Sequence, residues 1–326
     1  MAGLPQLDDG LFLTDGGLET DLIFHHGIAL PEFAAFVLHE HAAGEALLRD
    51  YYREYFRIGA RAGLGVIVET ATWRASPSWG SKLGYDGDRL RSINERAAAF
   101  LLALRDDEAD GTVVVSGSIG PRGDAYFDLG PASADEALVF HRPQVAALAG
   151  SGVDLVSALT LTNVDEAIGF LRAAIECKVP AVVSFTVEVD GRLPSGMDLV
   201  DAIDLVDAET DSAATHFMVN CAHLDHFKAQ VSAPHGALRR VRGVRANASR
   251  LSHAELDDST ELDDGDPSEF GNQLVALHQM NDRLTILGGC CGTDARHIAS
   301  IAQAYGSDPT IARQRSLDER QTHDSE

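Results

Sequence analysis

Cysteine is scarce in this chain: there are four in 326 residues, and two of them are adjacent. So few, with a vicinal pair among them, do not make a disulfide framework. The expected setting is a reducing cytoplasm, where thiolates stay free to bind metal. Basic side chains are also short, 26 Lys and Arg against 50 Asp and Glu, for a formal charge of −24. That balance counts against nucleic acid and anionic membranes as partners, since both need a cationic face. No basic stretch leads into an apolar one at the N-terminus, so no signal peptide is expected. No apolar run approaches the roughly 18 residues of a membrane span. No G-x-G-x-x-G follows the first strand candidate, which argues against a dinucleotide-binding open sheet.

What the chain does have is alternation. Short apolar, β-type runs fall at 12–17, 65–72, 112–120, 153–160, 181–187, 216–221, 241–247 and 284–290, eight in all. Helical patterns separate them. Residues 45–61 place Leu48, Tyr52, Tyr55, Phe56 and Gly59 on one stripe. Residues 163–177 open with Asn163 and Glu166 in capping-box spacing and carry Val164, Ile168, Leu171 and Ile175 on one face. After the cysteine pair, Thr293 is the expected N-cap of a helix bearing Ile298, Ile301, Ala302 and Tyr305, with Gly306 as its C-cap. Eight strands alternating with helices predict an α/β fold, a single (β/α)8 TIM-type barrel over residues 1–312 followed by a polar tail, 313–326. A doubly wound open sheet is the alternative. The acidic stretch 252–269 and the tail read as solvated, mobile surface.

Barrel enzymes do chemistry at the C-terminal ends of their strands. Here those ends carry Asp15, Gly16 and Gly17; Glu69, Thr70 and Thr72; Ser118; Ser184 and Thr186; Asn220 and Cys221; Asn247; and Cys290 and Cys291. Three cysteines thus sit at two strand ends, while Cys177 ends a helix and reads as core. Three converging thiolates make a soft site suited to Zn²⁺, and three protein ligands leave a fourth position open, as catalytic sites do. Glycines around Cys290 and Cys291 let the backbone turn both side chains toward one metal. A helix starting just beyond helps keep the thiolates ionised. His223, two residues after Cys221, is a weaker candidate for a fourth ligand. A buried-hydrophobe role for Cys221 and a redox role for the vicinal pair are the competing readings.

The motifs GGCCGT near the C-terminus, Asn-Cys at the sixth strand, DGGLET at the first and GSIGPRG at the third closely resemble the homocysteine S-methyltransferase family. The resemblance runs over about residues 10–305 and includes betaine- and S-methylmethionine-dependent enzymes and the N-terminal module of cobalamin-dependent methionine synthase. It implies a (β/α)8 barrel and zinc held by Cys221, Cys290 and Cys291. It also implies that Asp15, Gly16 and Gly17 meet the amino-acid end of a substrate. Thr70 and Thr72, Ser184 to Thr186 and Ser195-Gly196 match as well. The implied reaction moves a methyl group from a sulfonium or ammonium donor to the thiol of homocysteine, giving methionine.

One position departs from the family. Where its fourth strand carries a glutamate that meets the substrate's ammonium, this chain has Leu159, and a leucine cannot accept a hydrogen bond. Either a neighbour substitutes, with Glu69 the candidate, or the acceptor is a thiol without that amino group. The length leaves no room for added folate or cobalamin domains, so S-methylmethionine, S-adenosylmethionine or a betaine is the expected donor. Trp73, Trp79, Tyr126 and Phe185 are candidates to cage its cation. The expected partners are therefore a small-molecule thiol and a methyl donor, with the oligomeric state open and a homo-oligomer among the options. Two other classes stay in view. One is a zinc hydrolase on the same barrel, which the lack of an H-x-H arrangement at His25-His26 opposes. The other is a paralogue that binds zinc and thiol without turnover.

Overall fold

The computed structural model describes residues 4–8, 10–124, 132–257, 259 and 261–307. Eight strands run β1 Phe12–Thr14, β2 Gly65–Glu69, β3 Val113–Ile119, β4 Leu155–Leu161, β5 Ala181–Phe185, β6 His216–Asn220, β7 Val241–Ala246 and β8 Ile286–Gly289. Each pairs in parallel with the next, and β8 pairs with β1, so the sheet closes into a barrel. Eight longer helices lie between and after the strands: α1 Ala42–Ala62, α2 Gly87–Glu108, α3 Ala134–Gly150, α4 Val164–Cys177, α5 Leu199–Thr210, α6 Leu224–Ser232, α7 Pro267–Met280 and α8 Ala295–Gly306. This is the (β/α)8 architecture that the alternation predicted.

The strands are apolar on both sides because both sides are covered. Outward side chains join the helices in one large core, to which Leu48, Tyr52, Tyr55 and Phe56 of α1 belong. Inward, a second cluster plugs the lower barrel: Phe12, Ile67, Val114, Leu155, Val182, Met218 and Ile286, one from each strand except β7. Side chains two residues further on share the same face. Those residues are Thr14, Glu69, Ser116, Ser157, Ser184, Asn220, Arg245 and Gly288. One step toward the C-terminal mouth, the interior therefore changes from an apolar layer to a polar one.

Several local expectations shift. Ile175 of α4 is 53% exposed, because α4 buries a face that ends a turn earlier. Asn163 does cap α4, accepting from Glu166 N at 3.0 Å. The Glu166 carboxylate does not return the bond; it takes the Arg122 N–H and faces His141 Nε2 at 3.0 Å. The N-cap of α8 is Asp294, paired reciprocally with His297, because Thr293 instead turns its hydroxyl onto the Cys290 carbonyl at 2.7 Å. The stretch 252–269 contains a helix, His253–Asp257, and the start of α7. The tail 313–326 lies outside the described residues. Among the described residues, no helix is long and apolar enough to cross a membrane.

Helices α3 and α4 meet at Gly169. A Cβ there would lie 2.5 Å from the Ala134 carbonyl oxygen and 2.5 Å from Ala137 Cβ. A glycine-to-alanine change in an unconstrained helix gains about 1 kcal/mol. Here Gly169→Ala should instead cost about 1–3 kcal/mol, since two backbones must part. Urea midpoints of the two proteins give the sign.

Candidate active site

The mouth of the barrel holds a cavity of about 420 Å³. That is the size of a small-molecule site, roughly 300–1,000 Å³. Its wall includes Asp15, Gly16, Gly17, Glu69, Thr70, Asn220 and all three strand-end cysteines.

The cysteines converge as the spacing predicted. The Sγ atoms of Cys221, Cys290 and Cys291 all lie within 4.8 Å of one another. The Cys221 and Cys291 sulfurs are 3.6 Å apart. Two thiolates at about 2.3 Å from a tetrahedral metal stand about 3.8 Å apart, so the spacing fits a metal bound between them. The backbone bends to achieve this. Cys221 follows β6 at φ +59°, and Gly292 closes the turn after Cys291 at φ +77°. A non-glycine residue in the left-handed region stores strain, and such residues gather at functional sites. The Cys221 carbonyl is held by His253 Nε2 at 2.7 Å and by the Thr186 hydroxyl at 3.3 Å. Gly17 lets β1 approach: a Cβ there would stand 2.5 Å from the Cys290 carbonyl oxygen. The Cys290 thiol is held well below its ordinary range by hydrogen bonding from the Cys221 and Cys291 thiols, with the Arg245 guanidinium adding to the effect. His223 is not part of this group. It caps α6, its Nδ1 accepting from Asp225 N at 3.2 Å.

Asn220 ties the thiols to β4. Its Nδ2 donates to the Thr160 hydroxyl at 2.8 Å and to Cys290 Sγ at 3.7 Å. Its Oδ1 accepts from Ser184 Oγ at 2.6 Å and from Thr160 N at 2.9 Å. Thr160 is the second left-handed non-glycine residue here, at φ +64°, where the β4–β5 register slips. Ser184 thus sits beneath Asn220 and does not line the cavity; Ser195 is exposed elsewhere. Thr70 lines the wall, its hydroxyl 2.6 Å from that of Thr72, which donates to the Ser118 carbonyl.

The residue that the sequence reading missed is Arg245, in the polar layer on β7. It is 5% exposed and crosses the barrel. Its Nη2 meets Asp15 Oδ1 at 2.6 Å, its Nε donates to the Gly289 carbonyl at 3.2 Å, and its Nη1 stands 3.4 Å from Glu69 Oε1. The other Asp15 oxygen accepts from Glu69 N at 2.9 Å. The signal was an arginine two residues after Gly243 in an otherwise inward-facing strand, on the same face as the apolar layer. Burial pushes the Glu69 carboxyl up to about 7, against the pull of Arg245.

Two members of the expected aromatic cage lie away from the cavity. Phe185 is fully buried and stacked on Phe217, and Trp79 lies under the Arg74 guanidinium at 3.7 Å. Tyr126 is outside the described residues. Of the three described residues, only Trp73 reaches the cavity wall. The acidic stretch that read as solvated surface supplies another part of that wall through Leu256, Glu261, Leu262 and Asp263.

A (β/α)8 barrel with three convergent thiols at the C-terminal ends of its strands defines a class of barrels with a thiol cluster at the mouth. The comparison with known families narrows it: a family model described as homocysteine S-methyltransferase matches residues 12–305. The chain belongs to this family, whose members are methyltransferases. It is 27% identical over 307 residues to the homocysteine S-methyltransferase of Escherichia coli (strain K12), a match covering 89% of this chain and 94% of that one. It is 24% identical to homocysteine S-methyltransferase 2 of Zea mays, across 92% and 91% of the two chains. The oxidized form of the Escherichia coli homocysteine methyltransferase MmuM superposes with a TM-score of 0.70 at 25% identity, over 91% of this chain and 96% of that one.

Glu69 gives the site a pH signature. Its carboxyl titrates near 7 in the folded chain against an ordinary 4.5. Below 4.5 both states are protonated and the group contributes nothing. As pH rises toward 7 the unfolded chain ionises first, so the folded state loses stability, and the loss is complete above 7. The melting temperature of Glu69→Gln should therefore gain on that of the wild type between pH about 4.5 and 7 and hold its lead above. Thermal unfolding across that range reads the difference.

Proposed function

We propose that the chain is a zinc-dependent S-methyltransferase that moves a methyl group from a sulfonium or ammonium donor to the thiol of homocysteine. The observation that carries this reading is the trio of thiols, whose spacing and soft donor atoms suit Zn²⁺ and leave one coordination position for a substrate sulfur. Cys221, Cys290 and Cys291 would hold the metal. Zinc at this place supplies the Lewis acidity that leaves a coordinated thiol ionised at neutral pH, where a free thiol with pKa about 8.5 is mostly protonated.

The chain's own residues do the rest. Asn220, fixed by Ser184 and Thr160, orients Cys290 through its amide. Glu69 and Thr70 supply polar wall for the amino-acid end of the acceptor, with Asp15, Gly16 and Gly17 beside them in the same wall. The walls exclude water from a charged nucleophile. In the transfer the acceptor sulfur attacks the methyl carbon in line. An S–C bond forms, the methyl bond to the onium atom breaks, and its electron pair neutralises that atom. Glu19 and Asp263 in the outer wall, with Trp73, favour a cationic donor there, while Asp124 is paired with Arg74 at 2.9 Å.

The test is metal content together with turnover. Purified, reduced wild type should carry about one zinc per chain and form methionine from homocysteine and S-methylmethionine. Cys290→Ser should lose both the metal and at least about a hundredfold in kcat/KM, since one of three ligands is gone. Reduced protein that never met a chelator and carries no zinc would sink the reading.

A further inference from the structure

Two atoms in the cavity floor have no hydrogen-bond partner although they are buried: Glu69 Oε2 and Arg245 Nη1. Both residues line the cavity. They carry opposite charge and belong to one pair, since Arg245 Nη1 stands 3.4 Å from Glu69 Oε1. The Ser116 and Ser157 hydroxyls lie close enough to the Glu69 carboxyl to favour its ionised form, yet Oε2 makes no well-aligned bond to them, and an underused acceptor beside an underused charged donor in a ligand-sized space suits a ligand that satisfies both. An α-amino acid bears an ammonium and a carboxylate on one carbon, and it matches that arrangement.

The neighbours leave this work to the pair. Asp15 has both carboxylate oxygens engaged, by Arg245 Nη2 at 2.6 Å and by Glu69 N at 2.9 Å. Leu159 reaches the same cavity from β4 with no polar side-chain atom. We propose that Glu69 and Arg245 together read the head group of the acceptor, Glu69 Oε2 taking its ammonium and Arg245 Nη1 its carboxylate. This rests on the thiol-methylation reading above and adds the residues that set acceptor specificity. Asp15 is then a brace: it anchors the far side of the guanidinium and leaves Nη1 toward the ligand.

Three thiols separate the parts of the head group: homocysteine, 4-mercaptobutanoate without the ammonium, and 3-aminopropane-1-thiol without the carboxylate. Their dissociation constants for the zinc-loaded protein are measured by calorimetry, and kcat and KM with S-methylmethionine as donor. Wild type should bind homocysteine more than about tenfold tighter than either analogue, because a site built for a polar group rejects the ligand lacking it. Glu69→Gln should erase the advantage over 4-mercaptobutanoate and keep the one over the aminothiol. Arg245→Lys, which retains the charge and loses the fork, should shrink the advantage over the aminothiol. A purely structural role would weaken all three thiols by the same factor, and that result overturns the proposal. So does equal binding of homocysteine and 4-mercaptobutanoate by wild type with homocysteine still methylated, which would make Glu69 an internal counter-anion of Arg245. If none of the thiols binds or is methylated, the reading on which the proposal stands falls with it.

Discussion

A guanidinium held at 5% exposure inside a barrel must be matched by charge, and the geometry of the mouth follows from how Arg245 is matched. Desolvating an unpaired ion costs several kcal/mol, so its partners are fixed in place rather than optional. Asp15 comes from the end of β1, Glu69 from β2, and the carbonyl of Gly289 from β8. One side chain of β7 thereby sets the mutual position of three other strand ends. The same strand end lies between the two that bear the thiols, and Cys221 N donates to the Arg245 carbonyl at 3.1 Å. The charged bridge and the thiol cluster are thus parts of one framework.

The second constraint is local strain. Thr160 and Cys221 both occupy the left-handed region without being glycine, and Asn220 links them. Its amide meets Thr160 on one side and a thiol on the other, with Ser184 beneath. Each left-handed residue costs of order 1 kcal/mol, which the surrounding hydrogen bonds offset. His253 and Thr186 close the arrangement by taking the Cys221 carbonyl, which the unusual backbone turns away from the ladder.

Sequence patterning revealed the barrel well because parallel strands covered on both faces read as separate apolar runs, and α1 and α8 bury clear stripes. It revealed the thiols because cysteine is rare here and glycines flank the pair. It did not reveal Arg245, since an arginine in a short strand gives no sign of which side it faces until the register is known; a shift by one residue would put it outside. Nor did it reveal the role of residues 252–263. Their Asp and Ser content resembles solvated chain, yet Leu256 and Leu262 line the cavity and His253 docks on Cys221. Phe185 and Trp79 missed the cavity for a related reason. Proximity to a strand end does not decide whether a ring points into the mouth or, like Phe185, back among the helices.

The sequence separations in the site set the order in which it can exist. Cys221 and Cys291 are 70 residues apart, and Asp15 and Arg245 are 230 apart. The contact between Cys221 and Cys291 is absent from any fragment that stops before the end of β8, the strand that closes the barrel against β1. A chain emerging from synthesis holds one thiol of the three, then acquires two at once, directly after β8. The cluster of three thiols is for that reason a property of the closed barrel, absent until the last strand is in place.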